Sequence, residues 1–221
     1  MTAPMKAIDI YEGIGPAYQI AFDNPPAQIR SVQWLLSQLD PASKIVDIGC
    51  GTGRPVCEML ANTGHHVIGV DFSPKMVETA RSQVPAARIL KSDALSWEPA
   101  QEDRPFDAVT SYFAFLGGTK QEDARKFFKR AYSWLNPGGV FIFGLVPLDW
   151  EEVEITWLGR KLVTSTLSAD DAKASIKAAG FNVEHEESVK FRPKAVEAGL
   201  CKEDEIDTET HLFLYARKPA P

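Results

Sequence analysis

The stretch Lys44-Ile-Val-Asp-Ile-Gly-Cys-Gly-Thr-Gly-Arg-Pro55 leaves a chain few ways to fold. Its apolar lead-in, Lys44-Ile45-Val46, reads as the end of a strand. Glycines at 49, 51 and 53 then strip the side chains from one side of a turn, so that backbone can approach a ligand closely. Pro55 suits the first turn of a helix, where its missing N–H costs nothing. A strand feeding a helix through such a turn is predicted to present free N–H groups to a polar or negative ligand. Such a unit belongs to sheets whose strands are joined by helical crossovers.

The rest of the chain repeats the alternation. Residues 5–22 read as two short helices broken at Gly13-Ile14-Gly15-Pro16. Asn24 is expected to cap a helix that starts at Pro25-Pro26 and carries Ile29, Val32, Leu36 and Leu39 on one stripe. A helix at 55–63 closes on Gly64, a strand at 66–70 ends at Asp71, and Ser73-Pro74 opens the next helix. A third strand (87–90) ends near Asp93, and a fourth covers 106–112. Thr119-Lys120-Gln121-Glu122 reads as a capping box for a long amphipathic helix. A fifth strand follows at 140–146, then an ambiguous stretch at 147–167 and a helix from Ser168 to Ala179. Two alternating segments, 181–191 and 210–217, have no helix between them and should pair antiparallel at one edge. Five strands alternating with helices predict a parallel sheet covered on both faces, with a crevice where the strand order reverses.

Composition narrows the class. The 221 residues are 44% hydrophobic and carry a formal net charge of −6, which argues against a nucleic-acid backbone as main partner. No secretory signal opens the chain, and its longest apolar run, Val140–Pro147, is too short to span a bilayer. Cys50, Cys57 and Cys201 form neither a C-x-x-C pair nor a metal spacing with the four histidines. The expectation is a cytoplasmic protein with no membrane, nucleic-acid or metal partner; no pattern fixes its oligomeric state.

Glycine spacing separates two ligand classes. A dinucleotide fingerprint places its third glycine where Arg54 stands. The observed D-x-G-x-G-x-G, starting at Asp47, resembles motif I of the class I S-adenosylmethionine (SAM)-dependent methyltransferases. That resemblance covers roughly residues 40–147 and implies a Rossmann-like α/β fold: a seven-stranded, mostly parallel sheet with an antiparallel edge strand. It implies a single domain over 1–221, with an N-terminal helical cap (1–40), a SAM-binding core (41–147), and a substrate-lid loop plus C-terminal hairpin (148–221). By the same resemblance Asp47, Gly49, Cys50, Gly51 and Gly53 wrap the methionine part of SAM, and Asp71 accepts from both ribose hydroxyls. Asp93 accepts from the adenine amine while the Ala94 N–H meets a ring nitrogen, between walls of Phe72 and Met76. Met76 at helical spacing is equally a core residue.

The end of the fourth strand, Ser111-Tyr112-Phe113-Ala114-Phe115, would lie beside the sulfonium, where aromatic faces suit a cation. Strand alternation sends Tyr112 or Phe113 into the pocket, but not both. Tyr11 and Tyr18 resemble the approach segment of small-molecule methyltransferases of the ubiquinone-biosynthesis type, or else anchor an amphipathic helix. Trp150 and Trp157 either lid an apolar acceptor or staple their loop to the body, and Phe115 is a further acceptor contact. Because the sulfonium is already a good leaving group, methyl transfer needs mainly positioning and exclusion of water. Asp149 and Tyr18 are weak candidates for a base, and His185 and His211 read as satisfied histidines. The expected function is methyl transfer to a small molecule. The alternatives are a nicotinamide-dependent oxidoreductase and a non-catalytic SAM-binding or regulatory protein.

Overall fold

A computed structural model describes residues 3–220. Nine strands run through the described residues: β1 (Lys44–Ile48), β2 (His66–Asp71), β3 (Arg88–Lys91), β4 (Phe106–Tyr112), β5 (Leu135–Leu145), β6 (Trp150–Trp157), β7 (Arg160–Thr166), β8 (Asn182–Phe191) and β9 (Glu209–Arg217). Seven of them form one sheet in the order β3-β2-β1-β4-β5-β9-β8. The first five are mutually parallel, and β9 runs antiparallel between β5 and β8. Residues 45–48 of β1 are all buried, as a strand covered on both faces requires.

Seven α-helices accompany the strands among the described residues: α1 (Ala7–Ile14), α2 (Ala17–Ala21), α3 (Pro26–Leu36), α4 (Val56–Asn62), α5 (Pro74–Gln83), α6 (Gln121–Trp134) and α7 (Ala169–Ala178). One face of the sheet carries α6 and α7, whose Phe127, Phe128, Trp134 and Ile176 pack with Phe141 and Phe143. The other carries α3, α4 and α5, which bury Val32, Leu35, Leu60 and Val77. A third cluster joins Ile10 and Ile14 of α1 to Leu158 and Leu162. Strand order reverses between β1 and β4, so the crevice opens at the carboxyl ends of those two strands.

Local chemistry departs from the sequence expectations at several ends. Asn24 sits at φ +47°, and Pro25 is the N-cap of α3 with no side-chain hydrogen bond. Proline's fixed geometry starts this helix, and the Asn24 amide instead donates to Asp23 at 2.8 Å. Ser73 does cap α5, accepting from the Met76 N–H. At α6 the reciprocal contact is one residue later than expected: the Asp123 carboxylate accepts from the Lys120 N–H at 2.8 Å, and the Thr119 hydroxyl is left without a partner.

The ambiguous stretch is neither loop nor helix but the antiparallel hairpin β6–β7. Leu158 (φ +49°) and Gly159 (φ +71°) form its two-residue turn, both in the left-handed region that matches strand twist. The outer edge of β7 is tied down by Met5 N–H to the Lys161 carbonyl (2.8 Å) and Gly118 N–H to the Val163 carbonyl (3.0 Å). No helix among the described residues is long and apolar enough to cross a membrane.

Candidate functional site

Two adjoining cavities open at the carboxyl ends of β1, β2 and β4. The first, about 100 Å³, lies over the glycine turn. The second, about 580 Å³, lies between the N-terminal helices, the β6–β7 hairpin and residues 205–211. Tyr11, Tyr18, Phe22, Phe113 and His211 line both, so the cavities share a wall. Only the larger falls within the range of a typical small-molecule site by itself.

Amide accounting corrects the first expectation for the glycine turn. The N–H groups of Gly49 and Cys50 both donate to the Val70 carbonyl, at 2.8 and 3.1 Å. Gly51 N–H donates to Asp71 Oδ2 at 2.9 Å, and Gly53 N–H to the Cys50 carbonyl at 2.9 Å. These four donors are consumed inside the protein, which leaves the N–H groups of Thr52 and Arg54 as the turn's amides without a protein acceptor among the described residues. What the glycines supply is space. A Cβ on Gly51 would meet no atom within 4 Å, so the residue opens onto the cavity it lines. Gly49, at φ +74°, lets the chain after β4 close in: its Cβ would stand 2.3 Å from that of Ala114. Gly53 does not line the cavity; its bareness admits Val84 and Ala80 beside α5.

The buried charges facing this space are two acids, Asp47 and Asp71, with the exposed Arg54 at its edge. Asp47 is 2% exposed and accepts from the Thr110 hydroxyl at 2.7 Å. Burial pushes its carboxyl up from 3.8 to about 7 against that bond and one from Cys57, with the Asp71 charge adding to the rise. Asp71 accepts from Gly51 N–H through one oxygen and from Ser73 N–H through the other, both at 2.9 Å, and burial again raises it. Each oxygen keeps a further lone-pair site for a ligand hydroxyl. Two carboxylates, an apolar flank of Phe72, Met76 and Ala94, and room for close backbone approach fit a ligand with cationic and hydroxyl groups and a flat ring. That is the chemistry of SAM.

The remaining sequence candidates divide. Tyr112 and Phe113 both line the first cavity, where alternation allowed one. The reason is backbone: Phe113 leaves the strand at φ +59°, so its side chain is no longer opposed to that of Tyr112. The Tyr112 hydroxyl is engaged with Ser31 at 2.8 Å. Asp93 is exposed and outside the cavity lining, with Oδ1 accepting from the Leu95 N–H, while Ala94 lines it. Phe115 is a core residue stacked on Phe127 at 4.6 Å, outside both cavities. Asp149 is exposed, accepts from Gln121 and lines neither cavity. Burial holds the Tyr11 and Tyr18 hydroxyls far above their ordinary range, which removes Tyr18 as a base at neutral pH. Trp150 and Trp157 line the second cavity.

Residues that sequence reasoning misses also appear. Phe22 stacks on Tyr18 at 4.6 Å, and Gln28 and Arg54 line the first cavity. His211 joins the two cavities although it sits in an apolar strand, with a side chain 5% exposed. The segment Thr208-Glu209-Thr210-His211 does carry a signal: period-two spacing places Glu209 and His211 on one face of a strand.

Comparison with known proteins agrees with this chemistry. The family described as "Methyltransferase domain" matches residues 45–139. An uncharacterized methyltransferase of Oceanobacillus iheyensis is 29% identical over 153 residues, 66% of this chain and 70% of that protein. Trans-aconitate 2-methyltransferase of Paracidovorax citrulli is 33% identical over 46% of this chain and 38% of its own length. An 18S rRNA (guanine(1575)-N(7))-methyltransferase of Saccharomyces cerevisiae is 31% identical over 66% and 50%. The matches thus span half or less of the last two relatives. Among solved structures, a SAM-dependent methyltransferase of Methanosarcina mazei superposes with a TM-score of 0.69 at 14% identity, covering 85% of this chain and 98% of that one.

Proposed function

We propose, for a chain that belongs to the class I SAM-dependent methyltransferases, that it methylates a small, largely apolar molecule held in the second cavity. The observation that carries this reading is the shared wall: one set of side chains, Tyr11, Tyr18, Phe113 and His211, borders both spaces. A donor over the glycine turn and an acceptor beside the hairpin would therefore touch the same few side chains. When bound, SAM supplies a methyl group on a positively charged sulfur that departs as a neutral thioether.

The chain's own residues do the rest. Asp71 holds the ribose diol with its free lone pairs, Asp47 faces the cationic amino acid end, and Phe72, Met76 and Ala94 enclose the adenine. Tyr11 and Tyr18, with Phe22, keep water from the junction, which matters because the reaction is mainly one of positioning and desolvation. The acceptor's class follows from the second cavity. Its aromatic side chains include Trp150, Trp157 and Phe22, and its charged side chains are Glu205, Asp207, Glu209 and Lys190. Three acids to one base repel a polycarboxylate or a phosphate backbone, which speaks against the substrates named for the trans-aconitate and rRNA relatives.

Binding and turnover test the proposal together. Asp71→Ala should weaken SAM binding by about tenfold to a few hundredfold, the cost of a lost charge-assisted hydrogen-bond pair. An unchanged affinity in a folded variant would refute the donor site. Incubating the protein and SAM with a metabolite extract should produce a compound heavier by one CH2 unit; its absence, with SAM consumed only by RNA or protein, refutes the small-molecule acceptor.

A further inference from the structure

His211 occupies the boundary between the two cavities, and its surroundings do more than pack it. Its Nε2 lies 2.9 Å from Glu209 Oε2, and the other carboxylate oxygen, Oε1, accepts from the Trp157 indole N–H at 3.1 Å. An ionised carboxylate only accepts, so a neutral His211 carries its proton on Nε2 and keeps a lone pair on Nδ1. Nδ1 makes no hydrogen bond with any described residue and is not among the fully buried atoms left without a partner, so its lone pair is free on a residue that lines both cavities. The ring is fixed between Phe113, at 4.3 Å between centroids, and Phe191, at 4.8 Å.

A histidine with a purely structural role has no need of this arrangement. Stacking by two phenyl rings already holds it, and a hydrogen bond to Glu209 merely to satisfy the ring would leave Nδ1 equally in want of a partner. Fixed tautomer, immobilised ring and a free lone pair aimed at a junction are the attributes of a base oriented by a carboxylate. Asp149 is outside the site, Tyr11 and Tyr18 are held neutral, and Asp47 borders the first cavity alone, whereas Glu205, Asp207 and Lys190 border only the second; His211 borders both, where donor and acceptor meet.

Resting on the methyl-transfer reading above, we infer that His211 is the general base for an acceptor hydroxyl, with Glu209 as its positioning residue. The choice of oxygen follows from what a base is for. A neutral amine already offers its lone pair and sheds a proton after transfer, whereas a hydroxyl oxygen becomes a strong nucleophile only as its proton leaves. The acceptor O–H bond breaks with its proton passing to Nδ1, and the oxygen's electron pair forms the new O–C bond. The pair from the broken S–C bond stays on sulfur. The imidazolium is stabilised by Glu209 and the two flanking rings until it returns its proton to solvent.

A chromophoric phenol tests this without turnover. The protein is loaded with S-adenosylhomocysteine and titrated with 4-nitrophenol, buffered below the phenol's own pKa so that the free probe is mostly protonated. The expected result is a phenolate band that grows with binding, at least about tenfold weaker in His211→Gln and in His211→Phe, which keeps the ring stack. Each protein is saturated with S-adenosylhomocysteine, checked by calorimetry, so that any change in its affinity does not enter the band. Glu209→Gln should give an intermediate band, because the ring's tautomer is no longer dictated. A wild-type protein that binds the probe as neutral phenol or not at all, or variants that keep the full band, overturn the assignment. Failure to bind S-adenosylhomocysteine would instead overturn the methyl-transfer reading beneath it.

Discussion

Replacing Asp47 by asparagine removes an ionisable group from inside the sheet while keeping its shape. Burial lifts its carboxyl from 3.8 to about 7 in the folded protein. Between those two values the native state holds a proton that the unfolded chain has lost. Its contribution to stability is therefore complete below the unfolded value and is lost as pH rises through the folded one. Roughly three pKa units correspond to about 4 kcal/mol at 1.36 kcal/mol each. The variant's amide has no proton to lose. The unfolding free energy of Asp47→Asn minus that of the wild type should accordingly climb by about 4 kcal/mol between about pH 4 and about pH 8. Any loss of the Thr110 and Cys57 contacts adds a pH-independent offset and leaves the slope intact. Urea unfolding across that range measures the difference, with equal m-values as the check that the denatured states match. A difference flat to within about 0.5 kcal/mol would mean that Asp47 is ionised throughout, and that burial does not govern its proton.

Other perturbations separate the roles of neighbouring residues. Gly49→Ala places a Cβ 2.3 Å from Ala114, at φ +74°, and should cost several kcal/mol of stability by thermal or chemical unfolding, about 2 or more. Gly51→Ala meets no protein atom, so it should cost only about 1 kcal/mol of backbone strain while lowering SAM affinity at least about tenfold by calorimetry. Equal stability losses in the two would show that Gly51 does not face the ligand. Trp150→Ala should raise the KM for the acceptor by about fivefold to a hundredfold, the equivalent of about 1–3 kcal/mol of lost burial, with SAM affinity unchanged. Parallel losses for both ligands would place Trp150 in the donor site.

Legibility in the sequence follows burial and periodicity. Strand β1, the glycine turn and α5 are readable because apolar runs, glycines and Ser73-Pro74 each have one dominant local cause. The hairpin is not, because only part of it is buried and its first strand bulges between Trp150 and Val153. Its signal is present in Val153-Glu154-Ile155-Thr156-Trp157 with Leu158-Gly159 behind it, an alternation closed by a turn. The state of the turn's amides is beyond reach, since only three-dimensional placement brings the Val70 carbonyl under both Gly49 and Cys50. His211 escapes a sequence reading because its strand looks like apolar core. That it borders two cavities depends on Phe113 at φ +59° and on Trp157 reaching Glu209, both long-range outcomes.

The N-terminal helices are held in place by one acid. Glu12 accepts from the Ser73 hydroxyl at 2.5 Å and from the Lys75 N–H at 3.0 Å, while Lys75 Nζ donates to the Glu12 carbonyl at 2.8 Å. These contacts dock α1 on the start of α5, beside the acid that would grip the ribose. Tyr11 of that helix lines both cavities together with Tyr18, so the seating of α1 on α5 shapes the two spaces at once.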